Sequence, residues 1–307
     1  MIRFHLLLIG LFTLINSSGF PQASYILSNK KVCLKEQLSF SNTSINKDSY
    51  LWDFSFDEFE NPGISQFSHQ ITGANRSDGI DIIHEKGEWI GFVTDRNTGL
   101  LKRLEFGNSL SNVPKEYNLG VIGVKGNGIR LLKEAGSWYA LMPSYGNGSL
   151  YRLTFGENIK STPTIESLGN ISAWNTIRGS DLVIHQDSIY SVISAYSNDK
   201  VTIINFGKSI TNSPIWYRDI QHAGMIDGPV GLSLHSEGNT LYSLISSNLN
   251  HKIVISYFSE DLASEVLYEI GGITSPTDVE IVKNGYQFYG IVLSAAAKMY
   301  KLSFGKK

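Results

Sequence analysis

The sequence predicts an all-β fold, a β-propeller, and three observations carry that prediction. A short motif, Leu104-Glu105-Phe106-Gly107, returns as Leu153-Thr154-Phe155-Gly156, Ile204-Asn205-Phe206-Gly207 and Leu302-Ser303-Phe304-Gly305, with a degraded copy at Ser256-Tyr257-Phe258-Ser259. The phenylalanines are 49, 51, 52 and 46 residues apart, close to the length of one four-stranded propeller blade. Upstream of each motif stands an apolar strand whose third residue is small: Gly91, Ala140, Ser191, Ser243 or Gly290. The composition agrees, because 29 Gly, 15 Tyr and 15 Phe beside 8 Pro among 307 residues suit many short strands joined by turns.

The elements follow in chain order. Residues 1–24 place Arg3 and His5 before the apolar run Leu6 to Ile15 and then small and polar residues, the pattern of a secretory signal peptide. That run is about half the length a membrane-spanning helix requires. After it the chain reads as a single propeller over residues 25–307, with blades near 25–73, 77–123, 126–170, 178–222, 228–272 and 275–307. Within a blade, the innermost strand opens with a turn and apolar residues, as in Gly79-Ile80-Asp81-Ile82-Ile83 and Gly128-Ile129-Arg130-Leu131-Leu132. The small-residue strand comes next, at Trp89 to Val93, Trp138 to Met142, Ile189 to Ile193, Leu241 to Ile245 and Phe288 to Val292. The Phe-Gly strand is third, and an outer strand such as Tyr117 to Gly120 follows a proline at Pro114, Pro163 or Pro214. The fixed small residue suggests a place where neighbouring sheets approach closely. Glu36 to Phe54 matches Glu88 to Phe106 in length, with Ser39 in register with Gly91, so the expected number of blades is six. The earliest strand of that first copy carries Asn29, Lys30 and Lys31 where the others are apolar, and five blades with a separate N-terminal strand piece is the alternative. The last copy has no outer strand of its own, and residues 24–30 are expected to pair with 298–304 and close the ring.

At the level of the repeat, Leu101-Lys102-Arg103-Leu104-Glu105-Phe106-Gly107-Asn108-Ser109-Leu110-Ser111-Asn112-Val113-Pro114 resembles the units of secreted bacterial propellers of the NHL/YVTN type. Cys33, Phe40, Asn42, Ser44, Trp52, Asp53 and Phe54 resemble landmarks of the polycystic-kidney-disease (Ig-like) domain, although Ser55-Phe56-Asp57 stands where that family has Gly-Asp-Gly. The first resemblance implies a propeller and export; neither implies a particular activity.

Function is less legible. Lys+Arg 26 against Asp+Glu 28 leave a formal charge of -2, so no basic field is available for nucleic acid or an anionic membrane. No Gly-x-Ser-x-Gly elbow is present, no Gly-Lys-Ser/Thr follows the glycines of 120–128, and Cys33 is the sole cysteine. The first residues of the inner strands converge on one channel mouth, which makes Asp81, Arg130, Asp181 and Asp278 the candidate ligand-binding residues. Three carboxylates there could hold a cation, since hard cations select oxygen ligands. Propeller lactonases use Glu, Asn and Asp at such mouths, and the matching first positions here offer no Glu or Asn. His84 and His185 fall at the opposite ends of their strands, as turn histidines. Tyr145, Trp174, Tyr196 and Trp216 break the repeat and are candidate loop aromatics, because residues outside a repeat's packing pattern are free to serve a binding face. The expected protein is therefore an exported, non-catalytic binding or scaffold propeller, secreted, periplasmic or on the cell surface. Its expected partner is an extracellular protein or carbohydrate, with no nucleic acid, no transmembrane span in the mature chain and no cofactor beyond a divalent cation that the mouth leaves room for. The alternatives are a metal-dependent propeller enzyme, a lactonase or lyase, with its site at the channel mouth, and a structural cell-surface component.

Overall fold

The computed structural model describes the strand pair Tyr25–Leu27 and Phe40–Asn42 and residues 71–121, 125–220, 224–258, 264–284, 287–295 and 299–304. The leader, Cys33, the Lys30-Lys31-Lys35 cluster and most of the first repeat copy lie outside these residues. The chain divides into two compact units, residues 1–56 and 57–307.

In the first unit, β1 (Tyr25–Leu27) and β2 (Phe40–Asn42) form a two-stranded antiparallel sheet, with Tyr25 opposite Asn42. The second unit contains five blades, each an antiparallel meander. Blade one is β3 (Ser77–Glu85), β4 (Glu88–Asp95), β5 (Leu100–Gly107) and β6 (Lys115–Val121). Blade two is β7 (Arg130–Glu134), β8 (Ser137–Pro143), β9 (Leu150–Gly156) and β10 (Thr164–Gly169). Blade three is β11 (Ile177–His185), β12 (Ser188–Ala195), β13 (Lys200–Gly207) and β14 (Trp216–Ile220). Blade four is β15 (Pro229–Glu237), β16 (Thr240–Ser247), β17 (Lys252–Phe258) and β18 (Ser264–Ile270). Blade five is β19 (Pro276–Asn284), β20 (Gln287–Ser294) and β21 (Met299–Phe304).

The all-β propeller expectation therefore holds, and the number of blades is corrected from six to five. The first copy's apparent second strand contributes Phe40–Asn42 to a two-stranded pair rather than to a four-stranded blade. The expected ring closure through residues 24–30 also meets a different pairing, because Tyr25–Leu27 hydrogen-bonds to Phe40–Asn42.

The repeat motif has a direct structural reading. Its Phe packs between blades, as Phe155 and Phe206 do, or with Val93 and Leu104 of its own blade, as Phe106 does. The Gly that follows bends the chain with positive φ at Gly107, Gly156 and Gly207, a conformation that costs glycine least. In blades one and three, Asn112 and Asn212 then donate their side-chain amides to the Phe106 and Phe206 carbonyls at 2.8 and 2.9 Å. The core is laid down in layers between neighbouring blades rather than inside them. Ile90, Phe92 and Leu101 of blade one meet Ile129, Trp138, Met142 and Phe155 in and around blade two. Leu141 and Leu150 meet Ile177, Ile189 and Phe206; Val192 and Ile203 meet Leu232 and Val254; Leu244 and Ile255 meet Val279 and Val292.

The small residues of the second strands differ among blades: a methyl at Gly290 would press on Leu244 of blade four at 3.0 Å, the close sheet approach expected, whereas Gly91 has more room. A methyl at Gly91 would make ordinary contacts with Ile82 and Phe106 of its own blade, and the Ser191 hydroxyl donates to the Asp181 carbonyl at 3.0 Å. The closest approaches occur at the start of the inner strands instead. A β-carbon at Gly79 would strike the backbone of Gly128, one at Gly179 the carbonyl of Val230, and one at Gly231 the Cα of Asp278. These glycines draw adjacent inner strands together and set the width of the channel.

Substituting Gly179 or Gly231 by Ala should destabilise the protein by roughly 1–3 kcal/mol, because the obstacle is rigid backbone of the next blade. Gly271→Ala, whose methyl would meet nothing within 4 Å, serves as the control and should be near neutral in chemical denaturation.

Candidate functional site

The inner strands β3, β7, β11, β15 and β19 present alternate residues to the channel, as a period of two requires. Arg130, the first residue of β7, lies at its centre. Its Nε donates to Asp181 Oδ1 at 3.1 Å, its Nη2 lies 3.7 Å from Glu280 Oε2, and its Nη1 donates to the Ile80 carbonyl at 3.4 Å. One guanidinium from blade two thus joins blades one, three and five. Burial opposes its charge, but Asp181, Glu280, Asp81 and Asp278 outweigh that and hold it more firmly protonated than a free arginine.

Each carboxylate is positioned by backbone. Asp181 is 9% exposed and is saturated: Oδ1 also accepts the Leu182 amide at 2.8 Å, and Oδ2 accepts the Leu234 amide of blade four at 2.7 Å. Asp81 Oδ2 accepts the Leu131 amide of blade two at 2.7 Å. Asp278 Oδ1 accepts its neighbouring Val279 amide at 2.9 Å. Burial raises the carboxyl groups of both Asp81 and Asp278 above the usual range, with hydrogen bonds and Arg130 pulling the other way.

Glu280 is the residue that sequence reasoning missed. It stands two positions after Asp278 on β19, on the same face of the strand, and the search for an inner-strand Glu stopped at the first positions. The period-two alternation of a strand was the signal that could have found it. Its side chain keeps 58% exposure, all the same, within a channel walled by protein and carboxylates. Desolvation, then Asp181 and Asp278, push its carboxyl up to about 7 against the opposing field of Arg130. Its one protein hydrogen bond of note comes from the Ser233 hydroxyl, to Oε1 at 3.4 Å.

Two cavities meet at Arg130 and Ile80. The inner one, about 350 Å³, is lined by Asp81, Arg130, Asp181 and Glu280 with Ile80, Ile82, Leu131 and Leu182. The outer one, about 530 Å³, opens at the N-terminal ends of the inner strands and includes Arg76, Asp78, Arg178, Asn127 and Asp278. The four expected channel residues are thus divided: Asp81, Arg130 and Asp181 share the inner cavity, and Asp278 faces the outer one. Among the described residues no group of three His, Cys, Asp or Glu side chains is arranged to hold a metal ion. Asp181 has its oxygens engaged with two amides and Arg130.

The loop aromatics also divide. Tyr145 and Tyr196 both face Arg178, whose Cζ lies 5.3 and 5.2 Å from their ring centres. Trp174 is buried in the core between blades two and three and donates from Nε1 to Thr202 Oγ1 at 2.8 Å. Trp216 lies on the outermost strand of blade three against Tyr190, with ring centres 6.2 Å apart. Trp174 is thus a core residue, and Trp216 is a half-buried strand residue rather than a loop one. His84 is exposed beside Trp89, whereas His185 is buried and bonded through Nδ1 to Ser236 Oγ at 2.8 Å, with burial lowering its pKa.

Comparison with solved structures bears on the fold. The chain is similar to a β-1,3-galactosidase of glycoside hydrolase family GH43, with a TM-score of 0.53 at 12% identity over 75% of this chain and 90% of that one. It is similar to an exo-β-1,3-galactanase from Clostridium thermocellum, with a TM-score of 0.54 at 13% identity over 77% and 60%. A GH43 enzyme from Xanthomonas citri gives 0.52 at 9% identity over 77% and 90%. No family model and no curated protein matches the chain, so the NHL/YVTN and polycystic-kidney-disease resemblances find no support at the level of family, while the propeller fold stands. The expectation of a non-catalytic scaffold is corrected, because the propellers it resembles are glycoside hydrolases. The sequence expectation weighs only the first positions of the inner strands for Glu or Asn, and Glu280 lies two residues further along β19.

Replacing Arg130 by Gln should cost about 3 kcal/mol at neutral pH, since it leaves carboxylates from several blades buried without their cation. Without Arg130 the folded-state carboxyl pKa values rise further above their unfolded values, so the variant's deficit is full at pH 8 and shrinks as acid protonates them. Denaturation curves of the variant and wild type between pH 5 and 8 measure this directly.

Proposed function

We propose that this protein is an exported carbohydrate-active hydrolase that cleaves a glycosidic bond in its central channel. The observation that carries the reading is the coexistence, in one cavity, of a carboxyl pushed up to about 7 and a second carboxyl group fixed by a neighbouring blade. Glycoside hydrolysis needs such a pair: an acid that protonates the leaving oxygen and a carboxylate that activates water or attacks. Burial raises both carboxyl groups, and the roles follow from Glu280's exposure to the channel and the amide that holds Asp81. Glu280, partly protonated at neutral pH and exposed to the channel, is the acid; Asp81, with Oδ2 held by the Leu131 amide, is the base.

The step balances without a cofactor. Glu280 gives its proton to the glycosidic oxygen as the bond to the anomeric carbon breaks. Water adds to that carbon and passes a proton to Asp81. Arg130 reaches the Ile80 carbonyl with one terminal nitrogen and Glu280 with the other, which places its charge beside the acid in the same cavity as Asp81. Asp181 acts as a positioning residue, holding Arg130 rather than touching substrate. The fold neighbours, whose names describe galactose- and xylose-related activities, support a glycan substrate, and the apolar leader of residues 1–24 suits an enzyme that meets polysaccharide outside the cytoplasm.

Screening against β-1,3-galactan, xylan and aryl glycosides should find an activity that Glu280→Gln and Asp81→Asn each reduce by roughly 10²–10⁴-fold with unfolding transitions preserved. The alkaline limb of kcat/KM should lie near pH 7 and report loss of the Glu280 proton. Folded wild-type protein inactive on every glycan, or full activity in Glu280→Gln, would overturn the proposal.

A further inference from the structure

The outer cavity carries a charge pattern that the hydrolytic chemistry does not use. Arg76 and Arg178 line it from two blades, with Arg96 behind them, and Asp78 and Asp278 are the carboxylates of its lining. Arg76 lies 3.3 Å from Asp78 Oδ1, and Arg96 Nε lies 2.7 Å from Asp78 Oδ2. Arg178 has neither a hydrogen bond nor an ion pair among the described residues, and its Nε is buried without a partner. Arg96 is 4% exposed, and its Nη1 is likewise buried and unpartnered. Burial, with Arg178 and Arg76 as like charges, lowers the pKa of Arg96 despite Asp78. Among the described residues, the Arg178 charge at this mouth therefore has no carboxylate partner.

The backbone places Arg178 deliberately. It is the extra residue of a β-bulge in β11, where the register to β12 shifts between Ile177 and Gly179. Such a bulge re-aims the side chain it carries. The inner strands of blades one, four and five shift at the matching place, around Asp78, Val230-Gly231 and Thr277, and these residues also line the outer cavity. Tyr145 and Tyr196 flank the Arg178 guanidinium, and Arg96 Cζ lies 4.5 Å from the Tyr145 ring centre. Aromatic rings that hold a guanidinium by its face leave its edge free, the edge that grips carboxylate or sulfate with two parallel hydrogen bonds.

Resting on the carbohydrate reading above, we infer that the outer cavity is an oxyanion subsite anchored by Arg178, and that the substrate is a glycan bearing carboxylate or sulfate groups. Arg130 and Ile80 border both cavities. A saccharide crossing that border sets its acidic group against Arg178 and its glycosidic bond at Glu280. A neutral sugar leaves the Arg178 charge unanswered.

The test is calorimetric binding to the Glu280→Gln protein, with galacturonate trisaccharide and galactose 6-sulfate as probes and galactose and inorganic sulfate as references. At least one acidic sugar should bind tenfold or more tightly than galactose, weaken as NaCl is raised, and lose that advantage in Arg178→Gln while galactose binding is unchanged. Which acid gains identifies carboxylate or sulfate as the group recognised. Arg178→Lys, which keeps the charge and loses the fork, should retain part of the preference and provides a second reading if the Gln variant does not fold. Equal binding of acidic and neutral sugars, a preference that survives Arg178→Gln, or inorganic sulfate binding as tightly as the acidic sugars would overturn the inference. Acid preference in a wild-type protein that hydrolyses nothing would sink the hydrolase reading and leave this site; turnover without acid preference would do the reverse.

Discussion

The structure depends on what Arg130 does in the channel. Carboxyl groups from three inner strands converge there, and their mutual repulsion in a confined space would push those strands apart or force protonation of several groups. A single guanidinium that reaches Asp181, Glu280 and the Ile80 carbonyl offsets that repulsion while leaving one carboxyl high. Burying such a cluster is costly unless its hydrogen bonds are complete. They are completed by amides of neighbouring blades, Leu131 for Asp81 and Leu234 for Asp181. Site and strand approach are thus one problem: the amides that satisfy the carboxylates belong to strands that Gly79 and Gly179 allow to approach.

This arrangement separates labour along the channel. The inner cavity combines a saturated carboxylate, a cation and two carboxyl groups of different burden, which is a setting for proton transfer. The outer cavity has a guanidinium stacked on tyrosine, which is a setting for recognition. The same β-bulge position, used blade after blade, supplies both the glycine contact that narrows the ring and the side chains that face the entrance.

Much of the architecture was legible because it repeats. A Phe that packs between sheets and a Gly that must turn with positive φ leave a mark every 46 to 52 residues, and all five second strands lie within one or two residues of where the pattern put them. The first copy misled because a match in length and one small residue do not test pairing, and Phe40–Asn42 found a partner in Tyr25–Leu27. Asp81, Arg130 and Asp181 were readable from strand position alone. Glu280 and Arg178 were not, for opposite reasons: one sits a full strand period beyond the expected position, and the other reaches the mouth only because a bulge shifts the phase by one residue. Trp174 and Trp216 show the converse, since breaking a repeat can also mean filling a local gap in its core.

The most direct test of the central claim, that this channel holds an acid ready at neutral pH, is a carboxyl ¹³C NMR titration of Glu280 assigned by its Gln variant. The account predicts a midpoint near 7, moving upward when Arg130 is replaced by Gln. A midpoint near the ordinary glutamate value of 4.5, unchanged by loss of Arg130, would contradict it.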